Sequence, residues 1–567
     1  MTDVSADDDE PERPAAPEHP AAAVRVYRAA RGATRTLAAR VAPNVRAFRA
    51  TDQPKIWMAA LLIGVCVSLA AIVFREAIAL LQLLWLQDAS ESVASAARRV
   101  PWWAVLGGPI VGGLLVGILL ERVVPLRRAG GVADVIEARA MGGRNIAFVP
   151  GLASAAVNAI SLGFGASSGR EGPMVHMGAA ISTSLAHSVQ LQEWSRRTLL
   201  ACGVASAVSA SFNAPIAGVL FAHEVILGHY AMRSFVPIVI SSVSGTILSR
   251  QWFGADAAFS IPDYPITSYL EFPAFALLGV LCAVVAVLFQ YALVVADTAA
   301  RSVELPLWLR PVIGGALIGA IALVFPEILG VGYEATDLAL KNALPLVLML
   351  ALLVAKTVAT AITLASRFGG GVFSPSLYLG AMAGGAFGTV AAALFPDLAS
   401  SQGLYAIIGM GAVAAAVIGA PISTTVIVFE LTGGYAITIA LLLAVAVSVG
   451  INEALNARSF FQYQLESRGL PIREGPHRTV VRRIKVMDFM RPLPTDEQRD
   501  LEEDDRTPLL PDASLEAALR RFDETGAERL PVVDPANETR VIAVATQIGA
   551  LRAHAKALVA VSEEEHR

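Results

Sequence analysis

The chain has 567 residues, of which 55% are hydrophobic and only 16% charged, and its mean hydropathy is +0.58. Ordinary soluble domains carry about 25% charged residues, so a soluble protein of this length is excluded and most of the chain belongs in a membrane. The formal net charge of −4 gives no case for nucleic-acid binding.

Residues 1–50 read as a cytoplasmic, unstructured tail with no secretory signal. The acidic stretch Asp7-Asp8-Asp9-Glu10 precedes seven arginines between Arg25 and Arg49 with no acid among them. Such a cluster holds the N-terminus on the cytoplasmic side, as a solvated tail or as a short basic helix lying on anionic headgroups. From Ile56 to Asn452 the chain is mostly apolar, and between Arg367 and Glu453 it carries only two charged residues, Asp397 and Glu430. A bilayer-spanning helix needs about 20 such residues. Many blocks here are shorter and end in Gly, Pro or Ser, as in 150–173 and 368–386. Short apolar blocks with breakers imply helices that stop partway through the membrane, which is tolerated where they line a pathway. The cysteines Cys66, Cys202 and Cys282 all sit in apolar runs and are expected as buried fillers without disulfides.

The apolar region repeats itself. Asn213-Ala214-Pro215-Ile216 is followed nine residues after the proline by Glu224, and Gly419-Ala420-Pro421-Ile422 is followed at the same distance by Glu430. Upstream, Pro173 stands five residues before Gly178-Ala179 and Pro375 five before Gly380-Ala381. Two membrane repeats, 51–255 and 256–465, are therefore expected around a central site. Residues 466–567 are soluble in composition. Basic and charged linkers (473–485 and 495–507) lead to a helix opened by an Asp512 cap, strands at Leu530–Val533 and Val541–Val544, and a last helix near 548–559.

Within the apolar region, Gly169-Arg170-Glu171-Gly172-Pro173 carries an expensive Arg–Glu pair. Pro173 suits a first helical turn, which puts Glu171 where unpaired N–H groups and the helix dipole attract an anion. A carboxylate there is an anion mimic that can occupy the site or leave it on protonation. Gly369-Gly370-Gly371-Val372-Phe373-Ser374-Pro375 repeats the logic in the second half, and Ala129-Gly130-Gly131-Val132 is a third Gly-rich break. Lys356, the only charge between Lys341 and Arg367, reads either as an electrostatic element of a pore or as a snorkelling cation. His223-Glu224 has no second ligand at helical spacing, so no metal is expected. No nucleophile–base pair or nucleotide loop occurs, so the chain is not expected to be an enzyme and needs no cofactor.

Residues 56–465 resemble the CLC family of chloride channels and chloride/proton antiporters. The resemblance rests on the Gly169–Pro173 and Gly371–Pro375 motifs and on Asn213-Ala214-Pro215 with Phe221 and Glu224 downstream. It implies an all-α polytopic membrane protein of short, tilted, broken helices in two inverted repeats, forming a homodimer in the lipid bilayer with one anion pathway per subunit. Glu171 matches the gating glutamate. The backbone amides of Gly169, Arg170, Gly172, Val372 and Phe373 match groups that bind chloride and related small anions. Three departures accompany these matches. Gly130, beside Gly131, stands where the family has a serine hydroxyl. Phe461, or Tyr463 in an alternative register, stands where it has a central tyrosine. Val225 replaces the internal proton acceptor of the antiporters, leaving Glu224 or His223 as alternatives. Valine cannot accept a proton, so the sequence favours a passive anion channel gated by protonation of Glu171, with an antiporter using an unconventional inner acid as the alternative. Residues 483–560 resemble one CBS module, a small cytoplasmic α/β appendage. Gly549 replaces its ribose-binding acid, which leaves dimer stabilisation or adenine-nucleotide binding as its role. The compact loops point to a bacterial inner membrane, with both termini cytoplasmic.

Overall fold

The computed structural model describes residue 31 and residues 39–566, apart from 142–145, 189–190, 255–258, 260, 263, 434–436, 457, 471–483, 493–507 and 536. Most of the N-terminal tail, including Asp7–Glu10, and most of the two charged linkers lie outside the described residues. The chain divides into two units, Met1–Ile56 and Trp57–Arg567. In the first, residues 39–50 are helical and exposed.

The first half of the apolar region comprises α1 (Gln53–Leu86), α2 (Val93–Arg99), α3 (Trp102–Arg122), α4 (Val132–Ala140), α5 (Phe148–Gly163), α6 (Glu171–Ser188), α7 (Glu193–Phe212), α8 (Pro215–Phe221) and α9 (Met232–Phe253). The second comprises α10 (Phe272–Ser302), α11 (Leu309–Ala322), α12 (Tyr333–Leu340), α13 (Leu346–Ala365), α14 (Phe373–Leu394), α15 (Gln402–Ile418), α16 (Pro421–Thr432), α17 (Thr438–Asn456) and α18 (Phe460–Glu466). Seven of the described helical segments are long and apolar enough to cross a membrane, and five more are shorter apolar helices of 10–17 residues. This is the expected pattern of full and partial spans.

The duplication is physical as well as sequential. α7 ends on left-handed Asn213, whose N–H returns to the Ser209 carbonyl, and α15 ends on left-handed Gly419, bonded to that of Ala415. Each cap is followed by an alanine and then by a proline at the first position of α8 or α16. Proline has no N–H to waste there and its φ is already helical. α6 crosses α7 at Gly178 and Gly203, where a methyl group on either would fall within 2.4 Å of the other's carbonyl oxygen. α14 crosses α15 at Gly380 and Gly409 with the same mutual exclusion. Small residues at both crossings let backbones touch where no hydrophobic force draws helices together. The cysteines behave as fillers: Cys202 and Cys282 are buried, Cys66 is half-buried, and all are free.

The halves also cap one another. Glu224 follows α8 on a short π-turn, Ala222–Leu227. Its carboxylate accepts from the N–H groups of Ile422 (3.1 Å) and Ser423 (2.7 Å) and from the Ser423 hydroxyl, all on the first turn of α16. Glu430, on α16, accepts from the N–H groups of Ile216 (3.1 Å) and Ala217 (2.7 Å) on the first turn of α8. This is the self-complementary contact of a two-fold relation, as an inverted duplication requires.

The C-terminal region forms a three-stranded antiparallel sheet in the order β1-β3-β2, where β1 is Arg491–Pro492, β2 Arg529–Asp534 and β3 Asn537–Thr546. Two helices, α19 (Leu515–Thr525) and α20 (Gln547–His566), accompany it. Its core joins Val486, Leu515, Phe522, Leu530, Val532 and Ala543. The α19 cap is Ser514, whose hydroxyl accepts from Ala517 N–H, and not Asp512 as the sequence suggested. The serine is the residue immediately before the first helical turn.

Replacing Glu224 or Glu430 by alanine should each cost about 1–3 kcal/mol, because two backbone donors then lose a charged acceptor. Thermal unfolding in detergent should show losses of similar size for the two variants. A loss for one and none for the other would contradict the reciprocal role.

Candidate functional site

The loops preceding α6 and α14 meet at an isolated antiparallel bridge: Gly169 N–H donates to Gly371 O (2.7 Å) and Gly371 N–H to Gly169 O (2.8 Å). The bridge aims the first turns of both helices at one place. The leading N–H groups of a helix have no carbonyl one turn back and carry the positive end of its dipole, so two such ends facing one space favour negative charge there. Glu171 opens α6 and is buried. A methyl group on Gly169 would sit 2.5 Å from Glu171 Oε2 and 3.1 Å from Ser374 N, so the carboxylate overlies Gly169 beside the start of α14. Its other oxygen, Oε1, accepts from the Tyr333 hydroxyl at 3.3 Å.

Two cavities flank this carboxylate. One, of about 340 Å³, is lined by Glu171, Gly172, Val372 and Phe373 and also by Phe461 and Arg468. We call this side the inner mouth. The other, of about 280 Å³, is lined by Arg75, Glu91, Arg170 and Tyr333. The Glu171–Tyr333 contact lies between them. On the second side Arg170 spans Glu91 (2.8 Å) and the face of the Tyr333 ring (4.9 Å), while Arg75 holds the same Glu91 oxygen at 2.9 Å. Burial pushes the Glu91 carboxyl up, but the charges of Arg170 and Arg75 outweigh it and hold that group below its usual range.

The sequence-predicted residues separate into groups. Glu171, Gly172, Val372 and Phe373 converge as expected. Gly169 lies at the site, but its N–H is consumed by the bridge to Gly371, so it organises the site and offers no free amide. The Arg170 guanidinium faces the opposite cavity, which leaves its backbone as its contribution on this side. Gly130 and Gly131 line the larger cavity, yet their amides are also spent, on Ser154 Oγ (2.7 Å) and on Asp134 (2.8 Å). For these two glycines, expected among the anion-binding residues, the structure shows a place in the cavity lining with both N–H groups engaged within the protein. Phe461 is buried and lines the same cavity, and Tyr463 lines it too.

His223, Glu224 and Val225 do not line either cavity. They lie on the π-turn, where wider winding replaces the α-helical spacing assumed from sequence. His223 is buried, with Nδ1 2.9 Å from the His229 carbonyl oxygen and its ring stacked on Tyr230. Glu224 serves as the cap of α16 described above. Lys356 is neither in the larger cavity nor snorkelling. It is fully buried, and its ammonium donates to the carbonyls of Ile328 (3.0 Å) and Gly330 (2.9 Å), 5.2 Å from the centre of the Tyr378 ring. It pins the turn before α12, the helix that begins with Tyr333.

Sequence reasoning missed Tyr333, Glu91 and Arg75, because nothing local marks residues that meet Glu171 or Arg170 only through the fold. It also missed His176, whose imidazole fills the space a side chain at Gly130 would need, within 2.3 Å of its methyl position. At the inner mouth Arg128 and Arg468 both bind Asp134, and Arg468 also reaches Glu137. Burial raises the Asp134 carboxyl, but Arg128 and Arg468 prevail and bring it down to about 2. A depressed carboxyl stabilises the folded state above its unfolded value, and the benefit fades as pH falls through the folded one. Asp134→Asn should therefore lose about 2 kcal/mol at pH 6. It should also show a flatter dependence of unfolding temperature on pH below 4, and an unchanged acid limb would contradict the pairing.

A model of the family described as voltage gated chloride channel matches residues 112–453. Among curated proteins, the Putative chloride channel protein ClcB-like of Ralstonia nicotianae is 35% identical over 387 residues, covering 68% of this chain and 90% of that protein. The H(+)/Cl(-) exchange transporter ClcA of Vibrio cholerae is 33% identical over 290 residues, covering 50% of this chain and 62% of that one. Among solved structures, a slow cyanobacterial Cl-/H+ antiporter superposes with a TM-score of 0.66 at 23% identity, covering 73% of this chain and 98% of that one. At that identity the likeness is one of fold.

Proposed function

Because the chain belongs to the voltage gated chloride channel family, whose members here form polytopic helical membrane proteins and move anions, we propose that it exchanges chloride for protons, with Glu171 serving both ions. The observation that carries this reading is the placement of Glu171 between two cavities, at the meeting point of two helix N-termini. A carboxylate in that position occupies the anion's place while ionised. Protonation removes the charge that the helix ends attract, frees the place for chloride and loads the same group with the proton. Competition for one position couples the two fluxes. The Vibrio cholerae relative, named as an exchanger, supports exchange over the passive channel that Val225 suggested.

The passive channel is the second reading, favoured by one observation. Val225, with no titratable group, stands at the inner acceptor's position, Glu224 is committed to capping α16, and His223 is enclosed. Under exchange, protons reach Glu171 from the inner side by water in the 340 Å³ cavity.

The pathway's inner mouth is taken as cytoplasmic: it is lined by arginines, including Arg128 and Arg468, and positive flanks stay inside. We further read the protein as a homodimer of a bacterial inner membrane. Ile216 and Ile422, whose amides the crossed glutamates cap, are about half exposed, and lipid is a poor neighbour for polar backbone. The C-terminal sheet with its two helices supports a CBS-like module. With Gly549 in place of an acid, its role is to stabilise the dimer.

In proteoliposomes, an outward chloride gradient should drive protons inward against their own gradient. Glu171→Gln should abolish the proton movement and leave chloride flux. Chloride flux by the unaltered protein without uphill proton movement would establish the passive channel instead.

A further inference from the structure

Behind the wall of the inner-mouth cavity lies a third cavity, of about 500 Å³. Two elements separate the two spaces. α10 presents Leu293, Asp297 and Arg301, spaced four residues apart, to the inner-mouth cavity. It presents Tyr291, Val295, Thr298 and Ser302 to the third. α18 contributes Phe460 and Tyr463 to both. An occupant of the third cavity therefore rests against the back of the inner mouth without entering it.

This third cavity has two chemical characters. Tyr291, Val294, Val295 and Phe460 give it an apolar wall, and Tyr291 and Val295 are 64% and 55% exposed on a helix apolar enough to cross a membrane. Toward the end of α10 the lining turns to Thr298 and Ser302, and the connection from α17 to α18 adds Asn456 and Arg458. A chain of carboxamides fixes the polar side: Asn456 Nδ2 donates to Gln290 Oε1 and Gln290 Nε2 to Asn452 Oδ1, each at 3.0 Å. Arg458 Nη1 donates to Glu466 at 2.7 Å, and its guanidinium lies 5.0 Å from the centre of the Tyr463 ring. A guanidinium carries its N–H donors in a planar fork, so this pairing orients it and leaves donors for a further oxygen ligand. A small soluble anion would leave the apolar wall bare, and a plain hydrocarbon would leave the arginine unanswered.

We propose that this cavity binds one glycerophospholipid from the leaflet on the inner-mouth side, its phosphate on Arg458 and an acyl chain along Tyr291 and Val295. Basic pockets between membrane helices at the membrane edge suit phosphate headgroups, and the volume is that of a small-molecule site. From Tyr291 to Ser302 the α10 wall runs roughly 16 Å, about the depth of one leaflet's hydrocarbon. The bound lipid braces α18 from outside, so the lipid surroundings reach the wall of the inner mouth. The site depends neither on which ions cross the protein nor on whether protons are coupled to them.

The test is lipid binding by the full chain, stripped of lipid in detergent and titrated with dioleoyl phosphatidylglycerol, with bound lipid counted by native mass spectrometry. The unaltered protein should hold a single lipid per chain more tightly than any other, and that lipid should raise the unfolding temperature. Arg458→Gln should weaken this binding by roughly three- to tenfold, the range for one charge-assisted contact at a partly exposed site. Arg458→Lys should recover part of the loss. Val295→Trp, which leaves Arg458 and Glu466 paired, should weaken binding as well by filling the apolar side. Leu277→Trp, at the other end of α10 and 59% exposed, should leave it unchanged. Unaltered binding in both Arg458→Gln and Val295→Trp would overturn the site. Equal weakening in Leu277→Trp would overturn it too, by showing only a general lipid coat. Displacement of the lipid by inorganic phosphate at matched concentration would replace the lipid with a free anion as the ligand. None of these readings requires flux, so failure of this site and failure of the exchange reading are distinguishable.

Discussion

Two backbone hydrogen bonds between Gly169 and Gly371 set the geometry on which everything else depends. They join loops more than a third of the chain apart, and they fix the leading turns of α6 and α14 against one another. Neither helix end could attract much charge alone, since each supplies a fraction of an elementary charge. Held together in an apolar slab where water does not compete, the two favour negative charge at one place. The crowding there favours glycine on both sides of the bridge: a methyl group at Gly169 would displace the carboxylate that lies above, and one at Gly371 would stand 3.2 Å from Gly172 N.

Around that centre the two sides answer their charged groups differently, while Glu171 Oε2 and Arg170 Nε are buried without a hydrogen-bond partner among the described residues. Toward the second cavity, Glu91 binds both Arg75 and Arg170 and Glu76 lines the same space, so two carboxylates face two guanidiniums and the approach there is balanced. Toward the inner mouth, guanidiniums outnumber the carboxylates that face them. Lys356, buried without a carboxylate, is stabilised by two carbonyls and an aromatic face, and in return it fixes the turn that delivers Tyr333. A charge that hydropathy marks as an anomaly thus serves as a structural pin near the site without entering it.

Much of this was legible in the sequence because membrane duplication leaves coarse marks. Composition gave the membrane, breakers gave the partial spans, and the recurring Ala-Pro steps with an acid nine residues on gave the two halves. The Gly-Arg-Glu-Gly-Pro motif marked the buried glutamate that opens α6. What stayed hidden depends on which hydrogen bonds are already spent. Gly130, Gly131 and Gly169 look alike as flexible amide donors, and only the fold reveals that Ser154, Asp134 and Gly371 have claimed them. Glu224 looked like a spare acid, and its commitment to α16 comes from a residue nearly two hundred positions away. The partnership of Tyr333 with Glu171 has no local signal, since it arises from bringing the start of one short helix beside another.

The exchange of glutamates between α8 and α16 has an evolutionary consequence. Neither repeat caps its own short helix: Glu224 serves the second half and Glu430 the first. A half-length ancestor carrying one such acid would have left its own helix end unsatisfied in lipid, and two copies meeting head to head would have satisfied both at once. A duplication fusing two such copies would preserve that intermolecular contact as the intramolecular one seen here. Covalent linkage then freed the halves to diverge, so that one now places a carboxylate at the anion position while the other supplies only amides.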